Sequence, residues 1–406
     1  MQLNIFESSI MERYKIENHV RLIELFAGIG AQHKALEILS RNGYIPFGYE
    51  AYKICEFDKY AVNSYNAVHG TNFETSDITK IHAKDLEIVD RDKHTYIMCY
   101  SFPCTDLSNA GKMAGMRKGT GTRSGLLWEV ERLLNECGNE LPQVLVMENV
   151  PAVESEKNIN DFRDWLHYLS SKGYHNFEQI CNATEIGYPE PIPQNRKRCF
   201  MVSILDDKVY SFPEKRKLRK KLKDLLEEEV DDKYYLSQKL IDCFMADGSE
   251  KYCRRDKFLG NIHRKNQQIA NTITTNAGSR PTDNYIFGNK RLNETLQANN
   301  VKDKDFIDAY NRTITTDVSG TITTRVDASN NVFVADFKNE CGPEPYYQTN
   351  SLSIRKLTPK ECWRLMGFED EDYERASKVN SNAQLYKQAG NSIVVNCLAA
   401  IFKEMF

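Results

Sequence analysis

One thiol in this chain follows a proline directly: Cys104, in the stretch SFPCTDLSNAGK at 101–112. The apolar run before it reads as a buried strand and the small, polar run after it as a loop. A cysteine at that junction can be exposed and surrounded by loop N–H groups, which is what a reactive thiolate needs. No histidine lies close in sequence, so a Cys–His protease has no local support. A second chemical pair, Glu148 and Asn149, ends the apolar run QVLVMEN. A carboxyl against an apolar wall stays protonated and can act as an acid. QNRKR at 194–198 offers Arg196 and Arg198, alternate residues that on an extended segment point the same way, toward a carbonyl oxygen or a phosphate. FAGIG places Gly28 and Gly30 where backbone can approach a ligand. Glu56 in the following segment suits two ribose hydroxyls, and Phe57 suits stacking on adenine. Asp77 and Ile78 could accept from an exocyclic amine and pack on the same base. The third glycine of a dinucleotide fingerprint is absent, so the set favours an adenosine-bearing cofactor without a long diphosphate.

These groups need a scaffold that brings strand ends together. The stretch at 21–39 reads as strand, glycine turn and helix, with Ala35, Leu36 and Leu39 facing inward. Another strand–turn–helix follows at 45–66. Further strands are predicted at 95–102, 143–150 and 198–205, separated by helices at 123–138 and 161–174 that stop at Gly138 and Gly173. Alternating strands and helices predict an α/β fold with a doubly wound, mostly parallel sheet, the strand C-termini carrying the chemistry.

The pattern breaks near 206. A charged stretch at 214–237 reads as a solvated connector. Threonine-rich runs follow at 271–276, 312–317 and 320–325, and they predict short strands. The expected domains are therefore 1–205, catalytic and cofactor-binding; 206–355, smaller and β-rich; and 356–406, a return segment whose last helix packs on the first domain.

The chain has 406 residues, 41% hydrophobic and 27% charged, with net charge −3. A large core is available and no global basicity marks a polyanion binder, so such a site must be local. Charges among the first twenty residues argue against a signal peptide, and no apolar run approaches a membrane span. Eleven scattered cysteines, none as C-x-x-C, fit free thiols in a reducing, cytoplasmic setting.

FAGIG, SFPCTDLS, MENV, QNRKR, RKLTPKECWRLMGF and GNSIVV occur in that order. Together they resemble the DNA (cytosine-5)-methyltransferases of bacteria and phages, over about 21–205 and 353–406. The resemblance implies S-adenosylmethionine as cofactor, held by Phe26, Gly28, Gly30, Glu56, Phe57, Asp77 and Ile78, with Pro103 and Leu126 near the methyl donor and Asn391 and Ser392 closing the pocket. It implies Cys104 as the nucleophile toward cytosine C6, Glu148 as the donor to N3, Asn149 as a positioner, Arg198 on O2 and Arg196 steadying charge. The base would be flipped out of duplex DNA. Thr105 stands where many relatives carry glutamine; with Ser108 it is a candidate DNA contact.

The insert corresponds to the family's target reader. The stretch at 251–265 holds six Lys/Arg against one Asp and brings forward Arg254 and Arg255. Of the three TITT copies, Thr321-Ile322 has the spacing nearest to the family's Thr-Ile pair. Double-stranded DNA is the expected partner, the enzyme a monomer, and any cognate endonuclease a separate chain. A tRNA methyltransferase would not need so large an insert. An NAD-dependent oxidoreductase leaves Cys104, Glu148 and Arg198 without a task, and a non-catalytic DNA-binding module would be indifferent to Cys104→Ser.

Overall fold

The computed structural model describes residues 12–104, 107, 116–119, 122–237, 240, 262–263, 269–275, 277, 280, 283–288, 305–308, 313–316 and 353–406. By contacts the chain divides into one unit made of 1–226, 268–277 and 359–406 and another made of 227–267 and 278–358. The sequence reading drew its boundaries at 205/206 and 355/356. The segment after 205 goes with the first unit because it packs there: the Tyr210 hydroxyl donates to the Ile401 carbonyl at 3.0 Å, and Leu222 and Leu225 are buried.

The first unit is built on β1 (His19–Leu25), α1 (Ala31–Arg41), β2 (Tyr49–Cys55), α2 (Lys59–His69), the single turn α3 (Ala83–Leu86), β3 (His94–Tyr100), α4 (Leu127–Glu136), β4 (Val144–Asn149), α5 (Ile159–Ser171), β5 (His175–Asn182), the two-residue β6 (Gln194–Asn195) and β7 (Lys197–Ile204). The large sheet has the order β2-β1-β3-β4-β7-β5. β1 to β4 pair in parallel; β7 runs antiparallel to both β4 and β5. The C-terminal ends of β3, β4 and β5 therefore share one edge with the start of β7.

Burial explains the pattern. β4 is buried along its whole length, as a central strand covered on both faces must be. On α1, Ala35, Leu36 and Leu39 are fully buried; on α4, Leu127, Val130, Leu133 and Leu134 are. Each such leucine contributes about 1.5–3 kcal/mol relative to exposure. Asp58 caps α2 by accepting from the Tyr60 N–H at 3.0 Å, and Gly70 ends it at φ 67°. After the second unit the chain returns as α6 (Pro359–Leu365), α7 (Asp370–Ser377), α8 (Asn382–Asn391) and α9 (Val395–Lys403). The first eight residues of α9 are buried, and it packs on α1.

In the second unit β10 (Tyr285–Gly288) pairs with β13 (Ser353–Lys356) and β8 (Ile262–His263), and β11 (Asp305–Asp308) pairs with β12 (Thr313–Thr316). β12 is the second TITT copy. The first copy behaves otherwise. Its flank forms β9 (Ala270–Asn271) against β6, but residues 272–275 are not strand, and the segment belongs to the first unit. Among the described residues no helix is long and apolar enough to cross a membrane.

Candidate active site

The glycine turn leaves β1 with three left-handed residues: Phe26 at φ 58°, Gly28 at 57° and Gly30 at 79°. Phe26 tolerates that region at a cost that glycine avoids. A Cβ on Gly28 would meet nothing within 4 Å, whereas one on Gly30 would lie 2.3 Å from His69 Nε2. The turn is thus open on one side and seated on a floor on the other. His69 Nε2 donates to the Ile29 carbonyl at 3.1 Å, and its Nδ1 is buried with no hydrogen-bond partner among the described residues. His33 stacks on His69 at 4.1 Å. The Tyr65 hydroxyl donates to Glu24 Oε2, and the backbone N–H of His33 donates to Glu24 Oε1 at 3.4 Å. Burial pushes the Glu24 carboxyl up to about 8 and holds His33 down at about 4. The floor is accordingly neutral at pH 7. Sequence reasoning missed it; the signal was a glutamate inside the apolar strand LIELFAG.

Glu56 follows β2 directly. Its Oε2 accepts from the Gly28 N–H at 3.0 Å and its Oε1 from the Asp58 N–H at 2.8 Å. Burial raises its carboxyl while those N–H groups pull it back. Phe57 is 77% exposed, the most exposed large hydrophobic side chain among the described residues. Asp77 Oδ1 accepts from the N–H and hydroxyl of Thr79, at 3.0 and 2.8 Å. Ile78 is buried and its carbonyl accepts from Arg132 at 2.9 Å, which ties this loop to α4.

Pro103 and Cys104 lie just past β3. The Ser124 hydroxyl donates to the Pro103 carbonyl at 2.7 Å, next to half-buried Leu126. Asn149, ending β4, donates to the Phe102 carbonyl at 3.0 Å and accepts from the Val150 N–H at 2.8 Å, so it laces the β3 exit to the β4 exit. Burial raises the Cys104 thiol; Arg198 and Arg196 pull it down and Glu148 pushes it up. Arg198 Nε lies 3.0 Å from Glu148 Oε1. Burial still outweighs that pairing and raises the Glu148 carboxyl.

Arg196 is buried and turns to backbone, donating to the carbonyls of Ile273 at 3.1 Å, Gly390 at 3.1 Å and Ser392 at 2.8 Å. Burial lowers its guanidinium to about 9. Gln194 donates to the Leu365 carbonyl at 2.7 Å and accepts from the Ile273 N–H at 3.0 Å, while the Thr272 hydroxyl donates to the Asn195 carbonyl at 2.8 Å. A Cβ on Gly390 would lie 2.4 Å from the Thr275 nitrogen. Alternate residues of 194–196 therefore staple the first TITT copy to the Gly390–Asn391–Ser392 segment. Asn391 is exposed and Ser392 buried. Thr272 and Ile273 are not among the sequence-predicted site residues, because spacing ahead of RKLTP favours Thr321-Ile322 and nothing local reports which copy meets the QNRKR row that Gln194 opens. Thr105, Ser108, Arg254, Arg255, Thr321 and Ile322 lie outside the described residues.

An open sheet whose strand ends gather a cysteine, a buried glutamate and two arginines beside a glycine turn defines a methyltransferase-type α/β fold. The C-5 cytosine-specific DNA methylase model matches residues 20–406, and the chain belongs to that family. It is 33% identical to the type II methyltransferase M2.ScrFI of Lactococcus lactis subsp. cremoris, over 86% of this chain and 74% of that protein. It is 30% identical to the orphan methyltransferase M.SPRI of Bacillus phage SPR, over 95% of this chain and 97% of that protein. Among solved structures, the Entamoeba histolytica methyltransferase EhMeth shares the fold at TM-score 0.63 and 17% identity, covering 96% of this chain and 98% of that one. The chain is therefore an S-adenosylmethionine-dependent DNA (cytosine-5)-methyltransferase.

The donor set fits that cofactor. A carboxylate has about four acceptor sites. Glu56 accepts from the backbone N–H groups of Gly28 and Asp58, with that of Phe57 beside it, and has acceptor capacity left for a ribose hydroxyl. Asp77 Oδ2 has only Lys80, at 3.6 Å, beside it and can accept from an amine. Exposed Phe57 offers a stacking face.

Proposed function

We propose that Cys104 attacks cytosine C6, that Glu148 protonates N3, that Arg198 receives O2 and that Arg196 positions the loop and the local charge. Cytosine C5 is a poor nucleophile because its ring is aromatic and electron-poor. Addition of the Cys104 sulfur to C6 breaks that aromaticity, and the displaced electron pair is held only if N3 gains a proton. Glu148 is suited to give one, since burial keeps its carboxyl protonated above the usual range. The enamine so formed is nucleophilic at C5. Bound S-adenosylmethionine supplies an electrophilic methyl on its sulfonium; Phe26, Gly28, Gly30, Glu56, Phe57, Asp77, Ile78, Pro103, Leu126, Asn391 and Ser392 would hold it. Once C5 is methylated, loss of the C5 proton and departure of the Cys104 sulfur restore the ring. Sulfur reaches C6 only when the base is out of the stack.

The observation that carries this reading is the Arg198 Nε–Glu148 Oε1 pair at 3.0 Å, at the edge where Cys104 lies and where the charges of Arg198, Glu148 and Arg196 act on its thiol. Among the described residues the TITT copy with hydrogen bonds to the QNRKR row is the one at Thr272-Ile273, and we read it as the family's Thr-Ile pair; Thr321-Ile322 lies outside the described residues. The reading keeps a bilobal enzyme with a target-recognition insert, acting as a monomer on double-stranded DNA in a bacterial cytoplasm. Relatives are named both type II and orphan methyltransferases, which agrees with a methyltransferase that works with or without a cognate endonuclease on a separate chain. Duplex DNA carrying 5-fluorocytosine is expected to form a denaturant-stable adduct with the wild type and none with Cys104→Ala, whose methyl transfer falls to background. Methylation by Cys104→Ala at the wild-type rate would sink the proposal.

A further inference from the structure

The run at 215–223, KRKLRKKLK, has seven cations and no acid, in a chain of net charge −3. Sequence reading took it for a solvated connector, but its residues divide into two sets. On one side it is fixed to the first unit. Arg216 donates to the carbonyls of Gly187 at 3.2 Å and Pro189 at 2.6 Å, and its own N–H donates to the Glu185 carbonyl at 2.7 Å. Lys215 pairs with Glu185 at 2.9 Å and Lys220 with Glu190 at 3.0 Å, while Leu222 is buried. On the other side Lys217, Arg219, Lys221 and Lys223 are all exposed, and among the described residues their side chains have no ion pair or hydrogen bond. Leu218 and Lys220 are less exposed than Lys217, Arg219 and Lys221, so accessibility over 217–221 alternates with the period of an extended chain, and Lys223 follows in the 3-10 turn Leu222–Leu225. Lys221 is itself extended, at φ −113° and ψ 158°.

We propose that Lys217, Arg219, Lys221 and Lys223 form a second DNA-binding surface that takes the phosphate backbone of duplex flanking the target. Alternate residues on an extended chain are about 6.6 Å apart. One DNA strand rises about 3.4 Å and turns about 36° per nucleotide, which puts successive phosphates about 7 Å apart, so Lys217, Arg219 and Lys221 match consecutive phosphates and Lys223 lies next in line. Anchoring by Arg216, Lys215 and Lys220 holds the row in place, which lowers the ordering cost of each contact. Location agrees. Glu185 lies three residues past the end of β5, at the sheet edge where β3 also ends and Cys104 begins. Lys217 and Arg219 also line a concavity with Pro189 and Pro191, so this face is not flat. The row makes no base contact and adds affinity without sequence preference.

The inference rests on duplex DNA being the substrate and is tested apart from the chemistry. The full chain carrying Lys217→Gln, Arg219→Gln, Lys221→Gln and Lys223→Gln is compared with wild type on a 40-base-pair duplex of mixed sequence across a salt series. Four lost phosphate contacts should reduce the slope of log K against log salt by about 3.6, with roughly tenfold or greater weakening at 0.1 M salt. The turnover number on saturating sheared DNA and the affinity for S-adenosylmethionine should stay at wild-type values, which also shows that the variant folds. A variant that permutes the cations (Arg219→Lys, Lys217→Arg, Lys221→Arg, Lys223→Arg) should keep the wild-type slope. An unchanged slope in the glutamine variant overturns the proposal. So does a row that governs binding to anionic lipid vesicles while leaving DNA affinity alone. Loss of turnover with Cys104→Ala at unchanged DNA affinity would leave this surface standing, so the two readings fail separately.

Discussion

Two buried glutamates lie in the same sheet and meet opposite surroundings. Glu148 is the penultimate residue of β4, with Arg198 at 3.0 Å and the charge of Arg196 also acting on it. Glu24 lies within β1 and meets only neutral groups: the Tyr65 hydroxyl, the His33 N–H and, further out, histidines that burial keeps uncharged. Burial raises both carboxyls, but only one faces cations that can stabilise its anion as a proton leaves. The difference teaches that depth alone makes a buried acid neutral, while a neighbouring cation makes it able to cycle. The edge proposed as catalytic can change charge, and the floor beneath the glycine turn is held neutral.

The largest expected effect separates the two by amide substitution. Glu148→Gln should lower the turnover number by about 10²–10⁴-fold, the usual weight of a positioned acid. It should leave S-adenosylmethionine affinity near wild type, since the cofactor residues are elsewhere. Glu24→Gln should retain turnover at pH 7. Equal losses in both variants would erase the distinction. In the wild type, turnover should rise with pH as the Cys104 thiol ionises and fall as Glu148 loses its proton. Both limits are displaced upward because burial raises both groups.

Next comes stability against pH. The Glu24 carboxyl is raised from 4.5 to about 8. A group with a raised folded value contributes stability that is complete below its unfolded value and disappears as pH climbs through the folded one. Each unit is worth about 1.4 kcal/mol, so the wild type should lose several kcal/mol between pH 5 and 9 from this group alone. Glu24→Gln, which cannot ionise, should be the more stable protein at pH 9. Urea melts at pH 6 and 9 check this, and a wild type that gains on Glu24→Gln with rising pH would refute the neutral floor.

Much of this was legible beforehand. Cys104, Glu148 and Arg198 were readable because strand ends and apolar runs are local patterns. The βα order was readable because helix and strand periods differ. Arg196 shows the limit. The alternation rule put it beside Arg198, but it precedes β7 and spends its donors on carbonyls 77 to 196 residues away. No local pattern reports such partners. The same holds for the floor, because the approach of Tyr65 and His69 on α2 to Gly30 spans 35 to 39 residues and leaves no local pattern.

Gly30→Ala probes that floor directly. The new Cβ would press on His69 Nε2 and Tyr65, and the φ of 79° adds strain of about 1–2 kcal/mol. His69 must then give up the Ile29 carbonyl. Gly28→Ala meets the same backbone strain with open space around it. Both should weaken S-adenosylmethionine binding, Gly30→Ala more so and with a lower melting temperature. Calorimetric titration of each variant decides whether the floor or the backbone angle alone sets the turn.

Tyr65→Phe is the smallest and most selective change. It deletes one hydroxyl, at about 1 kcal/mol for a typical hydrogen bond. That hydroxyl favours the charged form of Glu24, so its loss should push the Glu24 carboxyl above its present value of about 8. The variant should be slightly less stable than wild type at pH 7, and its alkaline loss of stability should continue to higher pH before it levels off. Turnover at pH 7 should not change, because no charge near Cys104 is altered. A shift of the alkaline limb to lower pH would mean that Tyr65 holds Glu24 in its acid form, and the contrast with Glu148 would then rest on a hydrogen bond and not on the absence of a cation.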